Sequence, residues 1–179
     1  MSTKRNHPRP RRSDETLKHS WRHIYYEHEM LETTADWLIK NLDINVVDYE
    51  FAIHMESFLI HARNLNQFYY AQVMHEEEPK KRPRPKNDDL IADDYCEGMT
   101  AWNPPPENRL PDALISRINK RLAHLTYQRS IGKRNDYDYA DILRKVESVR
   151  DSFLKVAPSA RLDLSEFNFW YLPCIFAEE

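Results

Sequence analysis

Arg117 and His124 stand seven residues apart in the basic amphipathic segment Arg117-Ile-Asn-Lys-Arg-Leu-Ala-His124. On a helix that spacing is about two turns, so the two side chains rise from the same side. Arg121 and Gln128 extend the ridge, and Leu114, Ile118, Leu122 and Leu125 form the apolar side beside it. A guanidinium keeps its charge while an imidazole titrates near neutrality, a pairing suited to phosphodiester chemistry. Neutral His124 can take the proton of a ribose 2′-hydroxyl as that oxygen attacks the adjacent phosphorus. The protonated ring can then assist departure of the 5′-oxygen. Arg117 suits the charge that develops on the phosphoryl oxygens, and Asn119 supplies an amide on another face. This chemistry requires neither a metal nor a cofactor. Arg and His at this spacing also arise on many helices by chance, so a purely structural pair stays open.

The charge around the pair is local. The whole chain carries a formal net charge of −3, which makes no global case for nucleic-acid binding. Residues 109–134, however, hold Arg109, Arg117, Lys120, Arg121, Arg129, Lys133 and Arg134 against Asp112 alone. Lys120, Arg121 and Arg129 are the candidate RNA contacts in that polyanion footprint. A solvated face balanced by Glu76-Glu77-Glu78 and Asp93-Asp94 is the equal alternative.

The elements that must position these residues read as helices. Two glycines in 179 residues are too few for the special turns of an all-β chain. Eleven prolines avoid the periodic stretches and gather in the N-terminal tail, at 79–85, at 104–111, and at Pro158 and Pro173. The pattern predicts an all-α bundle of four principal helices, near 14–42, 46–73, 111–129 and 139–156, within one domain over 14–179. Residues 1–13 (MSTKRNHPRPRRS) are expected to be a disordered basic arm. In the first helix Trp21, Ile24, Tyr25, His28, Leu31, Ala35, Leu38, Ile39 and Leu42 share the apolar face, with His28 read as a satisfied core or interface histidine. In the second, Phe51, Met55, Phe58, Ala62, Leu65 and Tyr69 line the core side. His54, Ser57, His61 and Asn64 make a polar ridge along its edge, while Arg63 points away from the core stripe.

Residues 74–109 form a long proline-rich connection. Its first half, EEEPKKRPRPKNDD, is expected to be mobile, and its second, with Leu90, Ile91, Tyr95, Met99 and Trp102, to dock as an ordered crossover or short helix. Ile142, Val146, Val149 and Phe153 mark the fourth helix. The aromatic tail Phe167-Asn-Phe-Trp-Tyr-Leu-Pro-Cys-Ile-Phe176 is expected to dock on the bundle or on a second subunit. His19 and His23 have the four-residue spacing of a zinc pair but no third ligand, so no metal site is assigned. Cys96 and Cys174 read as reduced thiols, and no run is long and apolar enough for a membrane span, so a cytoplasmic protein without membrane contact is expected.

A helical bundle with Arg117-x6-His124 on a late helix resembles the HEPN superfamily, whose pattern is Arg, four to six residues, then His. Asn119-Lys-Arg-Leu-Ala-His124-Leu is similar to the Asn/Arg-rich helix of abortive-infection-type HEPN-like proteins, and Phe58-Leu-Ile-His-Ala-Arg-Asn-Leu65 has a related flavour. The resemblance implies a metal-independent endoribonuclease of a defence or toxin–antitoxin system, acting as a homodimer on RNA, with a cognate antitoxin. The residues carried over are Arg117 and His124, with Asn119 as a weaker polar member. The alternative is a non-catalytic binding or assembly module built on the same bundle.

Overall fold

The structure is a computed structural model and describes residues 9–42, 48–96, 102–123 and 137–163. Among them are five α-helices and no strand: α1 Asp14–Lys40, α2 Asp48–Glu77, α3 Ala92–Cys96, α4 Asp112–Ala123 and α5 Tyr139–Leu154. The all-α class holds, and four of these helices fall where the apolar period puts them. The boundaries differ. α2 runs four residues past the expected end at Val73, because Gln72–Glu77 contains no helix breaker and the stop comes only at Pro79. The residues of the third predicted helix beyond Ala123, and the aromatic tail, lie outside the described residues.

Local chemistry explains the starts. The Ser13 hydroxyl accepts from the Thr16 N–H at 3.1 Å, and Asp14 and Glu15 complement the positive end of α1. Asp138 caps α5 in the same way, accepting from the Asp141 N–H at 2.9 Å. Leu110 N–H reaches the Asn66 side-chain oxygen at 2.9 Å, which fixes the entry of the chain into α4.

α2 is the central element. Phe51, Met55, Phe58, Ala62, Leu65 and Tyr69 are buried as expected, and Leu59, Phe68 and Tyr70 are buried as well. One stripe becomes several because α1, α3, α4 and α5 all pack on α2. Ile39, placed on the apolar face of α1 by its spacing, is exposed at the flank of the contact. Phe153 of α5 sits among five aromatic rings, those of Trp21, Phe68, Tyr69, Tyr95 and Trp102, with centroids 5.2–5.8 Å away. Trp102 and Tyr95 come from the 74–109 connection. The Trp102 indole N–H donates to the Tyr69 carbonyl at 2.8 Å and the Tyr95 hydroxyl donates to the Leu17 carbonyl at 3.0 Å, so this part of the connection closes the core.

The basic segments at the edge are tied down by ion pairs. Arg9, in the expected arm, reaches Asp94 at 2.7 Å, and both it and Arg12 donate to backbone carbonyls of residues 86–89. Arg161, after α5, is buried and donates to Asp14 at 2.8 Å and to the Tyr95 carbonyl at 2.7 Å. Together these contacts join both ends of the described chain to the connection.

Candidate functional site

α4 is held by a narrow contact. Ile118 is fully buried, and Leu114, Ile115 and Leu122 are partly buried against the core. Asn119, Ser116, Lys120 and Arg117 are exposed and occupy the arc that faces away. Successive side chains on a helix are about 100° apart, so Arg117 and Asn119 sit on opposite flanks of α4, with Lys120 and Ser116 between them.

Each flank meets a different neighbour. The Arg117 guanidinium lies over the Tyr137 ring, 4.8 Å from its centroid, just before α5. Such a cation–π contact holds the guanidinium in place and leaves its charge unneutralised. On the other flank, the Asn119 side-chain oxygen accepts from Arg63 of α2 at 3.3 Å. Arg121 is half-buried, and its Nε–H has no acceptor among the described residues. His124 and Arg129 lie outside the described residues.

The ridge on α2 turns toward α1. His61 is buried, with Nδ1 2.8 Å from a Glu27 carboxylate oxygen that also accepts from the Asn64 amide at 3.1 Å. The Asn64 oxygen in turn takes a long contact from Arg63 at 3.4 Å. A polar relay therefore runs from Glu27 of α1, through Asn64 and Arg63 of α2, to Asn119 of α4. His54 stacks on Trp37, centroids 3.9 Å apart, and donates to the Glu50 carbonyl at 3.0 Å. Three of the four ridge residues, His54, His61 and Asn64, thus meet side chains of α1.

His28 lies deeper. Its Nε2 is 2.9 Å from the Tyr69 hydroxyl, while Nδ1 is buried without a partner among the described residues, so the core reading holds but only half the ring is satisfied. Burial, reinforced by the positive charge of Arg150, pushes its pKa from 6.5 down to about 3. The ring is neutral at any ordinary pH. His19 and His23 are exposed, and no group of three metal-ligating side chains converges among the described residues.

Sequence reasoning missed one feature beside α4. Arg63 and Asn66 of α2, Ile115 and Asn119 of α4, and the Arg82-Pro-Arg-Pro-Lys86 strap enclose a groove of about 480 Å³. The strap reads in sequence as a mobile charged run. Its alternation of cations with prolines was the available signal, and nothing in it pointed to α4.

Comparison with known families, characterised proteins and solved structures returns no match for this chain. Any functional assignment therefore stands on the residues themselves.

Proposed function

We propose that this chain is a HEPN-like helical protein that cleaves RNA without a metal, through Arg117 and His124. The observation that supports this most is the state of Arg117. It is exposed, anchored over Tyr137 with its charge intact, on the side of α4 from which position 124 would also project if the helix continued. In this reading His124 removes the 2′-hydroxyl proton, O2′ attacks phosphorus and the 2′,3′-cyclic phosphate forms. The 5′-oxygen leaves with the proton that His124 returns. Arg117 stabilises the charge on the phosphoryl oxygens. Lys120, Arg121 and Arg129 bind the flanking backbone, and Asn119 contributes a polar contact from the far flank. A homodimer with a composite site, a cognate antitoxin and a cytoplasmic setting belong to the same proposal. No helix among the described residues is long and apolar enough to cross a membrane, which fits that setting.

The test is cleavage of single-stranded and structured RNA by the purified protein. Wild type should produce ends bearing 2′,3′-cyclic phosphate, and EDTA should not slow it. His124→Ala should abolish cleavage with the fold intact, and Arg117→Ala should impair it. Folded, dimeric protein that cleaves none of these RNAs would refute the proposal.

A second reading, the binding or assembly module, has an observation in its favour. Arg117 and Asn119 both make intramolecular contacts that join α4 to its neighbours. If that is their whole role, Arg117→Ala lowers stability by about 0.5–1 kcal/mol and no RNA is cut.

A further inference from the structure

The groove beside α4 has an unbalanced charge. Arg82 is already neutralised, paired with Glu78 and Asp112. Among the described residues Arg63 is not: its hydrogen-bond partners there are the neutral amide oxygens of Asn64 and Asn119, and its Nε–H is buried without an acceptor. Lys86 is exposed, and its ammonium makes no ion pair among the described residues. Arg84 also lines the groove, and among the described residues Asp89 is the one carboxylate that does. A half-buried guanidinium with an unused N–H, facing a second cation across a groove, is short of an anion.

The shape suits a chain of anions better than a single one. Proline fixes its own backbone and drives the residue before it toward the extended region, so after a bend at Arg82 the two prolines, Pro83 and Pro85, keep the chain stretched up to Lys86. Pro85 is buried and Arg9 bonds the Lys86 carbonyl, which anchors the far end. An extended proline-rich strand advances about 3.1 Å per residue, so alternate side chains recur about every 6 Å. That is the scale of successive phosphates on an extended single strand. Ala71, Met74 and Ile115 supply apolar lining against which bases can rest. From the groove, the exposed arc Asn119–Ser116–Lys120–Arg117 leads around α4 to the Tyr137 side.

We infer that this groove seats the sugar–phosphate backbone of a single-stranded RNA, with Arg63 and Lys86 as its principal phosphate contacts. The choice of RNA rests on the proposed function; the preference for a polyanion rests on the groove alone. A strand lying in it and crossing the arc of α4 arrives at Arg117.

The experiment measures binding of a fluorescein-labelled 2′-O-methyl oligouridylate to the full chain by anisotropy. That probe has no free 2′-hydroxyl, so binding is read independently of cleavage. Wild type should bind with strong salt dependence. Lys86→Glu, an exposed change, should weaken binding about tenfold, and adding Arg63→Gln should weaken it further. The double variant should also flatten the slope of log K against log salt by about 1.4, two contacts at about 0.7 each. Lys18→Glu, the same charge change on an exposed site of α1, should leave affinity within about twofold. The inference is overturned if wild type does not bind, if Lys18→Glu matches Lys86→Glu, or if polyglutamate of equal length competes as well as RNA. Groove-dependent binding by a protein that cleaves nothing would support this site and remove the nuclease reading alone.

Discussion

Replacing His28 by Gln should strip the protein of a specific part of its acid sensitivity. In the fold the ring is buried and stays neutral to about pH 3, whereas in the unfolded chain it titrates near 6.5. A histidine whose folded value is depressed contributes stability above its unfolded value, and that stability is lost as pH falls below 6.5 while only the unfolded chain takes the proton. Between about pH 7.5 and pH 5 the loss is about 2 kcal/mol. Asp93 acts in the opposite sense. Burial raises its carboxyl from 3.8 to about 6, so the folded state takes up the proton first and gains stability over the same interval. Wild-type stability measured alone would mix the two. The informative quantity is the difference between wild type and His28→Gln, because Asp93 is common to both and cancels. Gln keeps an amide within reach of the Tyr69 hydroxyl. Urea unfolding at the two pH values should show wild type losing about 2 kcal/mol more than the variant. Equal losses in the two proteins would mean that His28 is not held neutral, and the buried, half-satisfied ring would be the wrong description.

Other consequences concern the core and its ties. Phe153→Ala removes the ring at the centre of the aromatic cluster and should cost about 3–5 kcal/mol in chemical denaturation, while Leu154→Ala, at an exposed neighbour, should cost under about 1. Arg161→Ala should cost about 2 kcal/mol, since it leaves the buried Tyr95 carbonyl without its donor. The loss should shrink little in high salt because that bond is not exposed. In a Cys174→Ser background, Cys96 should resist iodoacetamide at about pH 8 until the protein unfolds. Burial pushes that thiol up to about 11, leaving about a thousandth as thiolate. Labelling at the rate of a free thiol in the native protein would contradict its placement.

The helices were legible because their signal is local. Phe51, Met55, Phe58, Ala62, Leu65 and Tyr69 repeat at helical spacing, and all six are buried. What periodicity cannot reveal is how many neighbours a helix has. Leu59, Phe68 and Tyr70 are buried only because α2 is surrounded, and Ile39 is exposed only because α1 is not. The connection was half legible. Tyr95 and Trp102 were apolar enough to be expected on the core, but the strap's charges gave no hint that Arg9 and Arg12 would fasten it.

For the candidate site the same limit decides more. That Arg117 and Asn119 stand on different faces of one helix follows from their numbers. Which residues meet them does not, because Arg63 lies 56 positions from Asn119 and Tyr137 belongs to the segment just before α5. In sequence Arg63 only points away from the core stripe of α2 and stands apart from its polar ridge. Packing reverses its meaning: the side of α2 facing away from the core at that turn is the side α4 crosses. A cation that a single helix would leave to solvent becomes half-buried between two helices and bonded to uncharged amides. Desolvating a guanidinium with no carboxylate beside it is unfavourable unless an anion completes its shell. That cost is why Arg63, rather than the more numerous exposed cations of α4, is the residue on which an RNA-binding role for this bundle is best tested.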